Sequence, residues 1–281
     1  MGRITQRRRV TRIAGEAGTT GLDTLVVEEP LEIRLGGEPV AVTMRTPGHD
    51  MDLAAGFLVS EGLVVATEDL RTLTYCAGDA LENQYNVLDA RLAGDHRAPA
   101  SSVRRALTTS SACGLCGKAQ VEQIRTALVH DLRADPTVVD AAFIRSLPDR
   151  LRGAQEVFDR TGGLHAAGLF DAATGALLVV REDVGRHNAV DKVVGWALRD
   201  GRLPLRGTVL FVSGRASFEL AQKAAVAGIP VLAAVSAASS LAVDLAEETG
   251  LTLIGFVRED RMVVYAGAGR IALSAGVEVS A

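Results

Sequence analysis

Cysteine is scarce in this chain, with 3 among 281 residues. That is too few for a disulfide-stapled scaffold and points to a reducing compartment. Aromatic residues make up only 4%, so any core is built mostly from Ala, Val and Leu. No apolar run reaches the length of a membrane span, and the longest, such as Ile229 to Val235, have the length of a buried strand. The N-terminus lacks the apolar segment of a signal peptide, and a cytoplasmic protein is expected. The 29 glycines follow no period, and no solenoid repeat is visible. With 48% apolar and 23% charged residues, the composition excludes a disordered chain, a coiled coil and a collagen-like repeat.

Charge is unevenly placed. The first twelve residues hold Arg3, Arg7, Arg8, Arg9 and Arg12 and no acid. Without those five, 25 basic residues face 34 acidic ones, a net of −9. An acidic body argues against a nucleic-acid binder. Residues 1–20 are expected to be a basic flexible arm, frayed and solvated.

The hydrophobic pattern divides the rest into two parts. In residues 21–140, strands are expected over 22–28, 31–35, 39–45, 70–75 and 85–92, with a hairpin turn at Gly36-Gly37. A helix capped by Asp50 or Asp52 follows Pro47-Gly48 and runs to about Glu61. Residues 94–117 read as loop, and Val121, Ile124 and Leu128 have helical spacing over 118–129. Residues 141–281 are more regular. After a helical stretch over 144–161, strands over 164–170, 176–180, 208–212, 229–235, 251–257 and 262–265 alternate with helices over 187–199, 218–227 and 240–249. Such alternation predicts βαβ units and a partly parallel sheet covered on both faces. The fold class expected is α/β, with a smaller N-terminal α+β domain that ends in a cysteine loop.

Five segments carry the chemistry. Cys113-Gly114-Leu115-Cys116 brings two sulfurs together, and the flanking Gly114 and Gly117 allow a tight, exposing turn. Lys118 and a following helix N-terminus favour the nucleophilic thiolate. From these residues alone the pair is a redox dithiol, half of a zinc site, a sulfur-transfer site or an incidental tight turn. Cys76 follows an apolar stretch and reads as core. Thr161-Gly162-Gly163-Leu164-His165 sets a histidine behind a glycine pair, as a base, a ligand or a satisfied core residue. In Glu182-Asp183-Val184-Gly185-Arg186-His187-Asn188, the last three residues open a helix after a strand, where a phosphate can be held. Asp183 is equally well a structural cap. Ser213-Gly214-Arg215-Ala216-Ser217 has the make-up of an anion cradle, although the Walker A spacing is missing. Phe256-Val257-Arg258-Glu259-Asp260-Arg261 ends a strand with two guanidinium forks, which suit a multi-phosphate ligand, or is an ordinary charged turn.

In this order the segments resemble the FdhD family of formate dehydrogenase sulfur carriers. The likeness runs from about Glu28 to Tyr265 and also includes Gly56-Phe57-Leu58-x-x-Glu61-Gly62. It implies that sulfur from a cysteine desulfurase passes to the bis(molybdopterin guanine dinucleotide) molybdenum cofactor, bound as a substrate, before that cofactor enters formate dehydrogenase. On this resemblance Cys113 is the persulfide carrier and Cys116 the second cysteine. Cofactor contacts fall on Phe256, Val257, Arg258, Glu259, Asp260 and Arg261. Residues His165, Arg186, His187, Asn188, Ser213, Gly214, Arg215 and Ser217 are added as contacts from their own chemistry. The resemblance further implies a cytidine-deaminase-like C-terminal domain and a homodimer. A zinc deaminase needs His-x-Glu and Pro-Cys-x-x-Cys, whereas His165-Ala166-Ala167 lacks the Glu and the 213–217 loop has no cysteine. No metal of the protein's own is therefore expected, and the deaminase-type pocket is open to a nucleotide.

Overall fold

The computed structural model of the chain describes residues 4–76, 85–94 and 130–273. Cys113, Cys116 and the helix expected over 118–129 lie outside the described residues.

Part of the expected basic arm is instead a strand. β1 (Thr5–Ala14) pairs along its whole length with β2 (Ala17–Val26), turning at Gly15 with a φ of 60°. Arg12 reaches Asp23 across the ribbon at 3.2 Å. The period-two pattern that marks a half-buried strand is missing here because both faces of the ribbon lie largely in water; Ile13 is 78% exposed.

A four-stranded sheet follows, in the order β4-β3-β6-β5, from β3 (Glu29–Leu35), β4 (Glu38–Arg45), β5 (Leu70–Tyr75) and β6 (Val87–Leu92). Gly36 and Gly37 make its first turn, both at positive φ. Helix α1 (Asp50–Ser60) starts from His49, and neither expected carboxylate caps it. Asp50 turns instead to the buried guanidinium of Arg45, with 3.0 Å contacts to Nε and Nη2. Asp52 takes Arg181 at 2.9 Å and Arg199 at 2.5 Å. Buried charges have stronger claims on a carboxylate than helix N–H groups do.

The second sheet has the order β13-β12-β11-β10-β8-β9. Its strands are β8 (His165–Asp171), β9 (Leu177–Asp183), β10 (Thr208–Val212), β11 (Val231–Ala234), β12 (Thr252–Gly255) and β13 (Val263–Ala266). A short pair, β7 (Val139–Asp140) and β14 (Ile271–Ala272), lies apart from it. The helical stretch expected over 144–161 is two helices, α2 (Ala141–Gly153) and α3 (Glu156–Thr161), broken at Ala154-Gln155. Then come α4 (Arg186–Arg199), α5 (Phe218–Val226) and α6 (Ser240–Thr249).

Strand β10 shows how the layers form. Val209 and Phe211 join a core with Ile144, Leu147 and Leu151 of α2, while Leu210 and Val212 join the opposite core with residues of α1, α4, α5 and α6. The expected mixed α/β sheet with helices on both faces is thus what the chain builds. Helices α1 and α4 cross backbone to backbone. A Cβ placed on Gly56 would lie 1.8 Å from the Asp191 carbonyl oxygen, and one on Gly195 would lie 1.8 Å from that of Asp52. Among the described residues no helix is long and apolar enough to cross a membrane.

Candidate functional site

Strands β10, β11 and β12 run parallel, so Val212, Ala234 and Gly255 end at one edge of the sheet. Strand β8 is antiparallel to β10, and β9 to β8. That brings the start of β8 and the end of β9 to the same edge, where His165 pairs with Asp183. Helices α4, α5 and α6 each begin there, at Gly185, Ser217 and Ser239. Ligands of open α/β sheets bind at such carboxyl ends, and helix N-termini favour anions.

Backbone contacts knit the loops of this edge together. Ser236 N donates to Gly214 O at 3.2 Å, Phe256 N donates to Ser236 O at 3.1 Å, and Ala216 bridges Ala238. Gly214 lies against two side chains, since a Cβ there would be 3.5 Å from Arg186 Cδ and 3.6 Å from His165 Nδ1. Ser213 Oγ accepts from Ala166 N at 2.9 Å and sits 3.4 Å from His165 Nδ1. Segments far apart in the chain, around His165, Arg186 and Ser213 to Ser217, are therefore one cluster. The last segment continues it. Arg258 Nη1 donates to Val235 O at 2.6 Å and to Val257 O at 2.7 Å. Val257 points into the core, while Phe256 stands 42% exposed with a φ of 50°, a conformation that costs a bulky residue free energy. Glu259 O accepts from Arg145 Nε of α2 at 3.2 Å. Asp260 and Arg261 lie exposed, 3.9 Å apart.

The polar residues of the edge fall into two sets. Asp183, Asn188 and Lys192 are engaged within the fold. Asp183 pairs with Lys192 at 2.6 Å and accepts from Thr46 N and Gly185 N. Asn188 Nδ2 donates to Met44 O at 2.8 Å and to Asp183 at 3.0 Å, and its Oδ1 accepts from Thr43. These contacts dock β4 onto the start of α4. The other set is less fully engaged within the fold. Arg186 Nε and Ser217 Oγ are buried atoms without a partner, and Arg215 is exposed. Ser217 stands at the N-cap of α5 but makes no cap bond. His187 Nε2 lies 2.6 Å from Glu219 Oε2, and that contact holds the carboxyl below its ordinary range. Burial, and then Arg186 and His187, push the His165 imidazole below its ordinary pKa, so it is a neutral hydrogen-bonding group near pH 7.

Beside this cluster lies a cavity of about 640 Å³, with Leu151, Phe158, Phe211 and Val235 among its apolar walls and Asp149, Arg152, Gln155, His165 and Ser213 among its polar lining. Gln155 was not singled out from the sequence, and Glu182 was named there without a role in helix capping. Glu182 accepts from Val157 N at 2.9 Å and Phe158 N at 2.8 Å, so it caps α3 from a neighbouring strand. Gln155 sits in the break between α2 and α3, and no periodicity marks that break. Cys76 is half-buried at the end of β5, where its N–H donates to Val87 O at 3.0 Å.

Comparison with known proteins places this geometry. The chain is 60% identical to "Sulfur carrier protein FdhD" of Streptomyces coelicolor over 280 residues, 99% of each chain. It is 59% identical to the protein of that name from Mycolicibacterium paratuberculosis, over 95% of this chain and 99% of the other. A crystal structure assigned to a formate dehydrogenase accessory protein of Desulfotalea psychrophila superposes with a TM-score of 0.75 at 23% identity, covering 96% of this chain and 100% of that one. That likeness shows a shared fold. The FdhD/NarQ family profile matches residues 26–272, and the chain belongs to the FdhD/NarQ family.

Proposed function

We propose that this chain is a sulfur carrier, in which Cys113 accepts sulfur from a cysteine desulfurase and delivers it to a bis(molybdopterin guanine dinucleotide) molybdenum cofactor bound for formate dehydrogenase. The observation that carries the cofactor half of the reading is the single sheet edge. It gathers Arg186, Arg258, His165, the Ser213–Ser217 loop and three helix N-termini beside a large cavity. Its likeness to sulfur carrier proteins supports the sulfur half.

In the loading step the Cys113 thiolate attacks the outer sulfur of the desulfurase persulfide. The donor S–S bond breaks, the donor cysteine leaves as thiolate, and Cys113–S–SH forms with no net oxidation. In the delivery step the Cys116 thiolate attacks the inner sulfur of that persulfide. The dithiol supplies two electrons, a Cys113–Cys116 disulfide forms, and sulfide is released to the molybdenum substrate. A thiol reductant of the cell then restores the pair. The protein is on this reading a sulfurtransferase, working as a homodimer. Its edge residues bind and orient: Arg186, Arg215, Arg258 and Arg261 meet phosphates, Ser217 and Gly214 offer a hydroxyl and open backbone, and neutral His165 hydrogen-bonds without competing for a proton.

The test is complementation in a cell lacking its own carrier. The wild-type chain restores formate dehydrogenase activity and Cys113→Ala does not. Restoration by Cys113→Ala would end the assignment.

A further inference from the structure

We propose that the β1–β2 ribbon is a docking arm, and that its face carrying Arg7, Arg9, Ile13 and Leu22 binds an acidic, partly apolar surface of the enzyme that receives the cofactor. The inference rests on the sulfur-carrier reading above and adds the surface by which the receiving enzyme is met. Residues 5–25 of the ribbon lie ahead of the stretch matched to the family, so this face is an addition to the transfer machinery.

A lone two-stranded ribbon is marginally stable in water and gains from packing against something else. This one has two strands of 10 residues each, about 30 Å long, and every residue from Thr11 to Thr20 is exposed. Its two faces differ. Side chains alternate along a strand, so Arg7, Arg9 and Ile13 share one face with Leu22, the cross-strand partner of Arg9. No acid lies on that face. Asp23 is on the other, with Arg8 and Arg12, and Glu16 is in the turn. Arg7 and Arg9 are exposed and have no ion pair among the described residues, while Ile13 is 78% exposed and Leu22 61%. Guanidinium groups beside bare aliphatic side chains have the make-up of a protein interface, and their sign sets that of the partner.

The same face begins at the rim of the candidate site. At its root Thr5 and Val26 pair directly and lie on it. Thr5 Oγ1 accepts from Arg160 Nη2 of α3 at 3.0 Å, and a Cβ on Gly163 would lie 3.5 Å from Val26 Cγ1. Gly163 and Phe158 of α3 line the cavity. Arg160, Arg7 and Arg9 thus form a basic line that leads outward from the cavity rim. A partner seated on this line stands beside the cavity. A membrane or a nucleic acid extends beyond the ribbon and meets the rest of the chain, whose net charge is −9 without the five arginines of the first twelve residues. A protein patch the size of the ribbon escapes that repulsion. Two copies packed ribbon on ribbon would oppose their own arginines.

The test is biolayer interferometry with the full chain immobilised and cofactor-free formate dehydrogenase of the same organism in solution. Wild type is compared with Arg7→Glu/Arg9→Glu, Arg7→Lys/Arg9→Lys and Ile13→Ser/Leu22→Ser. Wild type is expected to bind, and more weakly as salt rises. Charge reversal should weaken binding at least about tenfold, mainly through slower association, while the lysine pair keeps most of the affinity. The serine pair should weaken it severalfold through faster dissociation. GDP binding, which reads the cofactor edge, should not move in any of them. Unchanged affinity on charge reversal would overturn the proposal, as would a wild type that binds no dehydrogenase. Binding of phosphatidylglycerol vesicles or of a DNA duplex in its place would also overturn it. A change from dimer to monomer on charge reversal would make the face a self-interface, and loss of GDP binding as well would make the ribbon part of the fold; either result overturns the docking role. Cys113→Ala should dock like wild type, so restoration of formate dehydrogenase activity by that variant would end the sulfur-carrier reading and leave the docking surface standing.

Discussion

The edge of the six-stranded sheet and the helical frame beneath it are built on opposite terms. In the frame, buried charge meets buried charge. Lys192 pairs with Asp183, Arg45 with Asp50, and Arg181 with Asp52, each at 3.0 Å or less. Helices α1 and α4 touch at the backbone through Gly56 and Gly195. At the edge, a few residues away, Gln155 Nε2, Arg186 Nε and Ser217 Oγ are buried without partners and Phe256 holds a positive φ. Each unsatisfied buried group costs about 1–3 kcal/mol. Among the described residues the unpartnered atom away from this edge, Arg270 Nε, belongs to a guanidinium whose other nitrogens cap the Gly250 and Asp135 carbonyls. Unmet bonding capacity is thus concentrated where a ligand can meet it, above a frame that has almost none.

That contrast separates stability from binding, and substitutions can break it. The largest effect is expected in the frame. Gly195→Ala forces a Cβ to within 1.8 Å of the Asp52 carbonyl oxygen, and neither helix backbone can yield cheaply. A loss of at least about 3 kcal/mol in urea unfolding is expected. A variant as stable as wild type would mean that the helices do not cross this closely.

Arg186→Met addresses the edge. It removes a guanidinium whose Nε has no partner in the fold, so GDP affinity should fall about tenfold while the urea midpoint barely moves. A large fall in stability would place Arg186 in the frame and blur the contrast.

The smallest effect is a pH slope. Burial is the main cause holding the folded His165 imidazole below its ordinary pKa of 6.5, reinforced by Arg186 and His187 and opposed by Asp183. The unfolded chain therefore takes up a proton near pH 6.5 that the folded chain refuses. Stability is complete above that pH and declines as pH falls toward the lowered folded value. His49, also pushed down by burial, adds to the same slope. Urea midpoints at pH 7.5 and 5.5 should differ less in His165→Gln than in wild type. An equal difference would show that His165 titrates alike in both states.

The legibility of these features follows from where each signal lies. Strand β10 was plain in the sequence because a central strand buried on both faces is a continuous apolar run. The starts of α4 and α5 were plain because polar residues cluster where strand turns to helix. The β1–β2 ribbon was not, since a solvated strand has no reason to alternate. The break at Gln155 was missed because Glu182, distant in sequence, caps the new helix, and local pattern carries no trace of a partner supplied by another strand. Asn188 and His187 stood in the motif on equal terms with Arg186. Only their contacts with Met44 and Glu219 show that they hold the edge in place.

The central claim is that Cys113 carries sulfur, and mass spectrometry tests it most directly. The chain is incubated with a cysteine desulfurase and cysteine, then digested without reductant. The account predicts an added mass of about 32 Da, one sulfur atom, on the peptide holding Cys113, absent from Cys113→Ala. An unmodified Cys113 under conditions in which the desulfurase itself is persulfidated would contradict it.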